Sequence, residues 1–197
     1  RYGEPDIVPA HRLDRPTAGI VVFVRDPAVR GAYQMLFQER KVVKTYECLA
    51  PLVPPRRPRY GTAERIGRHH PFPMMRKSRI NKDRGRLQAY ESADTPNAET
   101  LVERGDDVRR IDGKPFVNYT LYPRTGKTHQ LRVHMDSLGL PILGDDFYPN
   151  VVRRAYDDFS QPLELVARTL EFVDPVSGER RRFVSQTPLG VGAHETV

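Results

Sequence analysis

Short segments of strand-like sequence recur along the whole chain, and they constrain its fold more than any other feature. PFVNYTLYP alternates most clearly and places on one face Phe116, Asn118, Thr120 and Tyr122. Strand character is also found in VVKTYECLAPLV, RLQAYES and AETLVER, and in a C-terminal hairpin that turns at Pro175 to Gly178. The sequence therefore predicts an α+β fold, with a mixed, mostly antiparallel sheet flanked by helices and loops.

Residues 19–25, GIVVFVR, are apolar and β-branched and are predicted to form a buried strand. Asp26 as N-cap and Pro27 in the first turn then start a helix with an apolar stripe. A second, short helix, HQLRVHMDSLG, is predicted with Thr128 as its N-cap and Gly139 at its end. Because the sequence shows no repeat, low-complexity tract or linker, we expect one domain over residues 1–197.

The net charge of +7 is concentrated in one segment. Residues 54–86 hold eleven of the 32 basic residues but only two of the 25 acidic ones. Such a segment suits a polyanion, with nucleic acid ahead of an acidic membrane surface, although a solvated loop has the same composition. We expect 54–86 to contact RNA. Because PPRRPRY, residues 54–60, cannot continue a central strand, we expect the chain to leave the sheet there.

Several protein classes are disfavoured by composition. No apolar run approaches the roughly 18 residues of a membrane span, and the first residues lack a signal-peptide core, so we expect a soluble cytoplasmic protein. The single cysteine, Cys48, excludes an internal disulfide and is predicted to lie in the core. We expect no metal site, because His129 and His134 lie on different helix faces and His69-His70 has no accompanying Cys or carboxylate pattern.

The segment HRLDRPTAG, residues 11–19, is the best candidate for chemistry. Asp14 stands between Arg12 and Arg15, whose charges favour a carboxylate able to act as nucleophile or base. Pro16 and Gly19 indicate irregular backbone ahead of a rigid element, where active-site residues are common. By composition alone, Asp14 could also be a capping or salt-bridged surface residue.

HRLDRPTAG resembles the HRLDxxTSG signature of the RluA family of pseudouridine synthases, with Ala18 where serine is common. KTYECLA, RTGKTHQLRVHM and GDDFYPN resemble the family's K-x-Y strand, GRTHQLRVH helix start and GDxxYG turn, in the same order. The resemblance implies a pseudouridine synthase-like catalytic domain that isomerises uridine in ribosomal or transfer RNA without a cofactor. Since the family usually has a strand before HRLD, it also implies an N-terminally truncated chain.

The resemblance assigns three catalytic residues. Asp14 is the catalytic carboxylate, Tyr46 lies against the uracil and is the candidate for proton transfer, and Arg132 pairs with Asp14. Asp14 could attack C1′ to form an ester or remove the 2′ proton to form a glycal, and the sequence does not decide between these routes. Taken alone, Tyr46 would be an ordinary strand tyrosine and Arg132 a helix surface residue.

The RNA contacts implied by the resemblance and by charge are Arg12, Arg15, Arg68, His69, Arg76, Lys77, Lys127, His129 and Gln130. Arg12 is the candidate for filling the gap left by a flipped base. His129 and Gln130 either orient the loop that carries Arg132 or contact phosphate. IGRHHPFPMMRKSR resembles the family's loop that closes over RNA, in which Phe72, Met74 and Met75 stack on bases or form a small core.

Two other functions are compatible with parts of the sequence. A non-catalytic RNA-binding domain would keep the basic segment without needing Asp14, Tyr46 and Arg132 together. A methyltransferase acting on RNA is disfavoured because no glycine-rich loop follows a predicted strand. We expect a monomer.

Overall fold

The computed structural model describes residues 7–67, 71–155, 157–158 and 160–190. A 3₁₀ turn (Pro27–Val29) leads into helix α1 (Arg30–Gln38), and α2 is Gln130–Ser137. The strands are β1 (Val8–Pro9), β2 (Ala18–Gly19), β3 (Phe23–Val24), β4 (Val43–Pro51), β5 (Thr62–Arg65), β6 (Met74–Asn81), β7 (Tyr90–Ser92), β8 (Ala98–Ile111), β9 (Lys114–Pro123), β10 (Leu165–Val173) and β11 (Arg180–Val184). No helix among these residues is long and apolar enough to cross a membrane.

The main sheet has the strand order β11-β10-β4-β9-β8-β6-β5, with antiparallel neighbours throughout. β2 adds a parallel pair to β10, and β7 pairs with β6. β1 and β3 form a separate two-stranded ribbon. The predicted α+β architecture with a mixed, mostly antiparallel sheet is confirmed.

The core lies on the face of the sheet that α2 covers. Cys48 pairs with Tyr119 across β4 and β9, and both side chains are fully buried. Leu131 and Met135 of α2 pack into the same cluster, so the prediction that Cys48 is a core residue is confirmed.

Helix α1 lies on the same face, at the other end of β4. Leu36 of α1 packs against Leu170 of β10, and Leu170 pairs directly with Lys44 of β4. Because side chains alternate along a strand, Lys44 faces the same way as Tyr46 and Cys48. The sheet between α1 and α2 therefore forms the floor of a cleft.

The run GIVVFVR is not the buried strand that its composition predicts. Only two residues at each end of this region join a ladder, in β2 and β3, and the Phe23 side chain is 58% exposed. Ile20 and Val22 do pack against α1, but the region between the two short ladders has no partner strand among the described residues. Apolar composition alone therefore overestimated the regular structure here.

Both helices begin close to their predicted starts. The Asp26 carboxylate accepts from the Ala28 amide at 2.9 Å, which confirms Asp26 as an N-cap, although the helix opens as a 3₁₀ turn. The predicted apolar stripe is buried only at Leu36. The N-cap of α2 is His129 with φ 55°, not Thr128, so that prediction was wrong by one residue.

The chain leaves the sheet at PPRRPRY, residues 54–60, as predicted, and the basic segment then rejoins the sheet as β5 and β6. Met74 and Met75 are buried, and Phe72 packs edge-on against Tyr119 at 5.4 Å. These apolar side chains therefore serve the core and not base stacking.

Candidate active site

Strand β10 lies between β2, which follows the segment that carries Asp14, and β4, which carries Tyr46. On one edge Ala167 pairs with Gly19, and on the other it pairs with Tyr46. A β-carbon at Gly19 would lie 2.4 Å from the Ala167 carbonyl oxygen, and the φ of +113° also favours glycine. The close approach of the two backbones therefore requires glycine at position 19. The loop that ends at Gly19 therefore lies one strand away from Tyr46.

Asp14 lies in a tight turn within this loop. The Thr17 amide donates to the Asp14 carbonyl at 2.9 Å, which leaves the Asp14 side chain free of the backbone pairing that closes the turn. We call residues 11–17 the Asp14 loop. Among the described residues, no hydrogen bond or ion pair holds the Asp14 carboxylate, so it is available to a ligand in the cleft.

A cleft of about 540 Å³ lies between the Asp14 loop, the end of α1, β4 and the start of α2. Its lining includes all three predicted catalytic residues, Asp14, Tyr46 and Arg132. Arg132 is more than 80 residues away in sequence from both Asp14 and Tyr46, so without a family resemblance the sequence gives no hint that it lies near them. Of the predicted RNA contacts, the cleft is lined by Arg12, Lys127, His129 and Gln130.

Tyr46 presents a protonated phenol to the cleft. Burial, together with the charge of nearby Asp14, raises the pKa of Tyr46 to about 12. The hydroxyl is therefore a hydrogen-bond donor at neutral pH and does not act as a base in the resting site.

Arg132 does not pair with Asp14, which corrects the predicted interaction. Its Nε donates to Asp145 Oδ2 at 2.8 Å, and its Nη2 donates to Asp145 Oδ1 and, at 2.7 Å, to Asp146. The guanidinium and the Asp145 carboxylate are each only 1% exposed. Arg132 is thus held in a bidentate buried pair, because α2 packs directly against the turn that carries the two acids.

Asp14 nevertheless acts on Arg132 through its charge. Burial alone lowers the pKa of Arg132, but the hydrogen bond and charge of Asp145, followed by the charges of Asp14 and Asp146, outweigh it and raise the pKa. The rings of Phe147 and Tyr148 lie 4.9 and 5.4 Å from the guanidinium carbon. The GDDFY motif therefore supplies the partners of Arg132, a role that its two adjacent acids could have suggested.

Gln130 fixes the start of α2 from inside the protein. Its Oε1 accepts from the Thr125 hydroxyl at 2.7 Å and the Lys127 amide at 3.1 Å, and its Nε2 donates to the Glu99 carbonyl and the Thr100 hydroxyl. The side chain is buried and its amide is fully used, so the predicted contact with RNA is wrong for Gln130 and its orienting alternative fits.

His129 offers a hydrogen-bond acceptor to the cleft. The Tyr148 hydroxyl donates to the Ala89 carbonyl at 2.9 Å, so its oxygen accepts from Nδ1–H of His129 at 3.0 Å. Burial lowers the pKa of His129, which favours the neutral ring with an unprotonated Nε2. The hydrogen bond with Tyr148 orients the ring, and the His129 backbone is left-handed at the start of the helix.

Arg76 was predicted to contact RNA, and the structure corrects this because its side chain is fully buried. It forms an ion pair with Glu91 at 2.6 Å and donates to the Tyr60 carbonyl and the Ser137 hydroxyl. Arg76 therefore ties the β5–β6 hairpin to α2.

The remaining predicted RNA contacts lie at varied places. Arg15 is exposed but is not part of the cleft lining. Lys77 forms an ion pair with Glu99 of β8, with 3.7 Å between Nζ and Oε1. Arg68 and His69 lie outside the described residues. Within the described part of the chain, no group of three or more His, Cys, Asp or Glu side chains is placed to hold a metal ion.

Comparison with known proteins identifies the family. The model of the RNA pseudouridylate synthase family matches residues 1–137. The dual-specificity RNA pseudouridine synthase RluA of Vibrio parahaemolyticus is 32% identical over 173 residues, which cover 88% of this chain and 63% of that protein. RNA pseudouridine synthase 1 of Oryza sativa subsp. japonica is 30% identical over 94% of this chain and 61% of that protein.

The fold is shared with solved structures. Human RNA pseudouridylate synthase domain containing 1 superposes with a TM-score of 0.70 at 23% identity, over 100% of this chain and 78% of that one. The chain spans somewhat less than two thirds of several curated relatives, as the 63% and 61% above show. The chain belongs to the RNA pseudouridylate synthase family.

Proposed function

We propose that this chain isomerises uridine to pseudouridine in RNA, with Asp14 as the catalytic carboxylate. The observation that carries the proposal is the convergence of Asp14, Tyr46 and Arg132 on one cleft. A non-catalytic RNA-binding domain has no need for a carboxylate and a buried phenol in the same cleft. The names of the relatives support the same activity.

The reaction breaks the N1–C1′ bond, turns the uracil within the cleft and joins its C5 to C1′. The proton on C5 is lost and N1 regains one, so the product is an isomer and no redox partner is needed. Asp14 either attacks C1′ to form an ester that is later displaced, or removes the 2′ proton to form a glycal. Both routes need a carboxylate that no other group holds, and no described residue forms a hydrogen bond or ion pair with that of Asp14.

Tyr46 is our candidate to receive the C5 proton, because it lines the same cleft as Asp14. Because its pKa is raised to about 12, the phenol already carries a proton and accepts another only by passing its own onward. Asp14, whose charge contributes to that pKa, is the nearby acceptor. We assign Tyr46 as a proton relay between uracil C5 and Asp14.

RNA is bound at the mouth of the cleft and along the loop between β6 and β7. Arg12 and Lys127 are exposed at the cleft, and we assign Arg12 to fill the space of a flipped base. In the loop, Lys82 is close enough for its charge to lower the pKa of His129, after burial and the charge of Arg132. The basic segment therefore reaches the cleft through this loop.

The relatives indicate which RNAs to test. The first relative is called dual-specificity, and one from Rickettsia conorii is called ribosomal large subunit pseudouridine synthase C. We propose that the substrate of this chain is ribosomal or transfer RNA. We also propose that the chain acts in the cytoplasm as a monomer. Light scattering on the purified chain measures the oligomeric state.

Tritium release from RNA labelled at uridine C5 tests the activity. The parent is expected to release tritium from ribosomal or transfer RNA, and Asp14→Asn is expected to release none, because the amide neither attacks C1′ nor takes a proton. Asp107→Asn, an isosteric change at an exposed position, is the matched control and should behave as the parent.

The outcomes separate the candidate functions. Activity in the parent and the control, with none in Asp14→Asn, establishes the synthase. A folded parent that binds both RNA pools but releases no tritium would instead favour the non-catalytic RNA-binding domain.

A further inference from the structure

We propose that His11 is a positioning residue that holds the Asp14 loop in its active geometry by replacing a main-chain carbonyl at the end of the β1–β3 ribbon. The inference rests on the proposed function, because it concerns the placement of Asp14 for that reaction. It adds a residue with a side-chain role distinct from those of Asp14, Tyr46 and Arg132.

The β1–β3 ribbon ends just before His11, whose side chain makes the next hydrogen bond to the β3 side of the ribbon. Val8 and Pro9 pair with Val24 and Phe23, and the Ala10 amide donates to the Val22 carbonyl at 2.9 Å. The chain then turns away towards Asp14, so the next main-chain acceptor is withdrawn from the Val22 amide. His11 Nε2 accepts from that amide at 3.1 Å. The imidazole thus supplies the hydrogen-bond acceptor for the Val22 amide that the main chain would supply if the ribbon continued.

The ring is fixed in a second direction by α1. Its centroid lies 4.4 Å from that of Phe37, with 24° between the two planes. A stacked ring that also accepts a hydrogen bond has little rotational freedom. His11 therefore anchors one end of the Asp14 loop, and the β2–β10 pairing at Gly19 anchors the other.

The arrangement requires a neutral ring. A nitrogen that accepts from an amide is unprotonated, so Nδ1 carries the proton. The charged groups that line the cleft with His11 include Lys44 of β4, Arg40 after α1, and Arg12 and Asp14 of the loop itself. Burial and then the charge of Lys44 lower the pKa of His11, whereas a hydrogen bond with the Arg12 backbone raises it. The net direction favours the neutral form.

Two substitutions separate the hydrogen bond from ring packing. His11→Phe keeps a ring to stack on Phe37 but removes the acceptor, and His11→Gln places an amide oxygen near the position of Nε2. In His11→Phe, kcat for tritium release is expected to fall by about 10²-fold with little change in KM, because displacement of a catalytic group by about 1 Å has an effect of this size. His11→Gln is expected to recover most of the loss.

Amide hydrogen exchange at Val22 provides a readout independent of catalysis. The amide should be protected in the parent and in His11→Gln, and should exchange faster in His11→Phe, while β4 amides remain protected in all three. Faster Val22 exchange and a lower kcat in His11→Phe, with both restored in His11→Gln, would establish the positioning role of His11.

Other results would overturn it. Full activity in His11→Phe excludes the role, and so does a His11→Gln variant that regains Val22 protection but stays as inactive as His11→Phe. If the parent itself released no tritium, the proposed function would fail, and Val22 exchange would still report whether His11 anchors the loop. The two failures are therefore distinguishable.

Discussion

At the scale of single residues, the phenol of Tyr46 gives the sharpest prediction. Tyr46→Phe should slow tritium release by about 10²- to 10⁴-fold, the usual contribution of a proton-transfer group, because only the hydroxyl is removed. RNA affinity and the unfolding temperature should hardly change, since the ring and its packing remain. Rates are measured at saturating RNA.

Tyr122→Phe is the matched control for Tyr46. Tyr122 also lines the cleft, but its hydroxyl donates to Glu103 at 3.0 Å and so is committed elsewhere. It should retain the parent's rate. Equal rates in Tyr46→Phe and the parent would remove Tyr46 from the proton path.

Arg132 is predicted to stabilise the fold as well as the site. Arg132→Met leaves the buried Asp145 carboxylate with the amides of Phe147 and Tyr148 as its donors among the described residues. Breaking a buried pair in this way costs about 3–5 kcal/mol of unfolding free energy. Urea unfolding at neutral pH measures it.

Arg124→Met serves as the comparison for Arg132. Arg124 also forms an ion pair, with Glu99 at 2.9 Å, but its side chain is 62% exposed. Its loss should change the unfolding free energy by less than about 1 kcal/mol. Similar losses in the two variants would mean that the Arg132 pair contributes no more than a surface pair.

The sequence indicated which candidate residues share a cleft better than it indicated their contacts. Asp14, Tyr46 and Arg132 were proposed from motifs, and all three line the same cleft. The partner of Arg132 and the burial of Arg76 were not found, because both depend on how α2 packs against distant turns. Residue type shows what a side chain can do, whereas its partner is decided by tertiary packing.

At the scale of elements, the pairing of β2 with β10 carries the Asp14 loop. Gly19→Ala would force a β-carbon to within 2.4 Å of the Ala167 carbonyl oxygen, at a φ that alanine rarely adopts. We expect a loss of about 1–3 kcal/mol, typical of overpacking, together with a large loss of activity as Asp14 moves. Urea unfolding and tritium release measure the two effects.

Gly31→Ala is the control for this substitution. Gly31 lies in α1, and a β-carbon there would meet no atom within 4 Å. Alanine should stabilise this helix by about 0.5–1 kcal/mol and leave activity intact. An active and stable Gly19→Ala variant would show that the β2–β10 pairing does not hold Asp14.

The strands that alternate clearly in sequence were predicted well, and the irregular ones were not. β9 alternates between buried and half-buried residues along most of its length, as PFVNYTLYP predicts. In GIVVFVR, apolar composition without alternation gave a buried strand where the chain makes two short ladders. Alternation records a sheet with two different faces, whereas an apolar run is compatible with several structures.

At the scale of the whole molecule, the basic segment is divided between two places. The backbone amide of Arg56 donates to the Leu138 carbonyl at 2.7 Å, so residues near Arg56 lie at the C-terminal end of α2. The cleft lies at the N-terminal end of the same helix, beside His129. The sequence showed that residues 54–86 are basic but not that their charges lie in two separate places. The separation arises because β5 and β6 rejoin the sheet between those two places.

This division makes RNA affinity depend on which charges are removed. The loop at Lys82, Arg84 and Arg86 is exposed, and Arg86 lies 4.0 Å over the ring of Tyr90, which orders the loop before RNA arrives. Replacing these three residues by alanine should reduce the slope of log affinity against log salt by about 2, since each phosphate contact adds roughly 0.7 for single strands. Filter binding over a range of salt concentrations measures the slope.

The control removes the same charge from the other part of the segment. Arg57, Arg59 and Arg65 are exposed, and alanine at all three should leave the slope nearly unchanged, because they lie away from the β6–β7 loop. Arg57 and Arg59 flank the segment at the C-terminal end of α2, and Arg65 pairs with Met74 at the opposite end of β6. Equal reductions in the two triple variants would mean that RNA follows the whole basic segment. A reduction confined to the loop variant would place the RNA backbone across the β6–β7 loop, beside the cleft that holds Asp14.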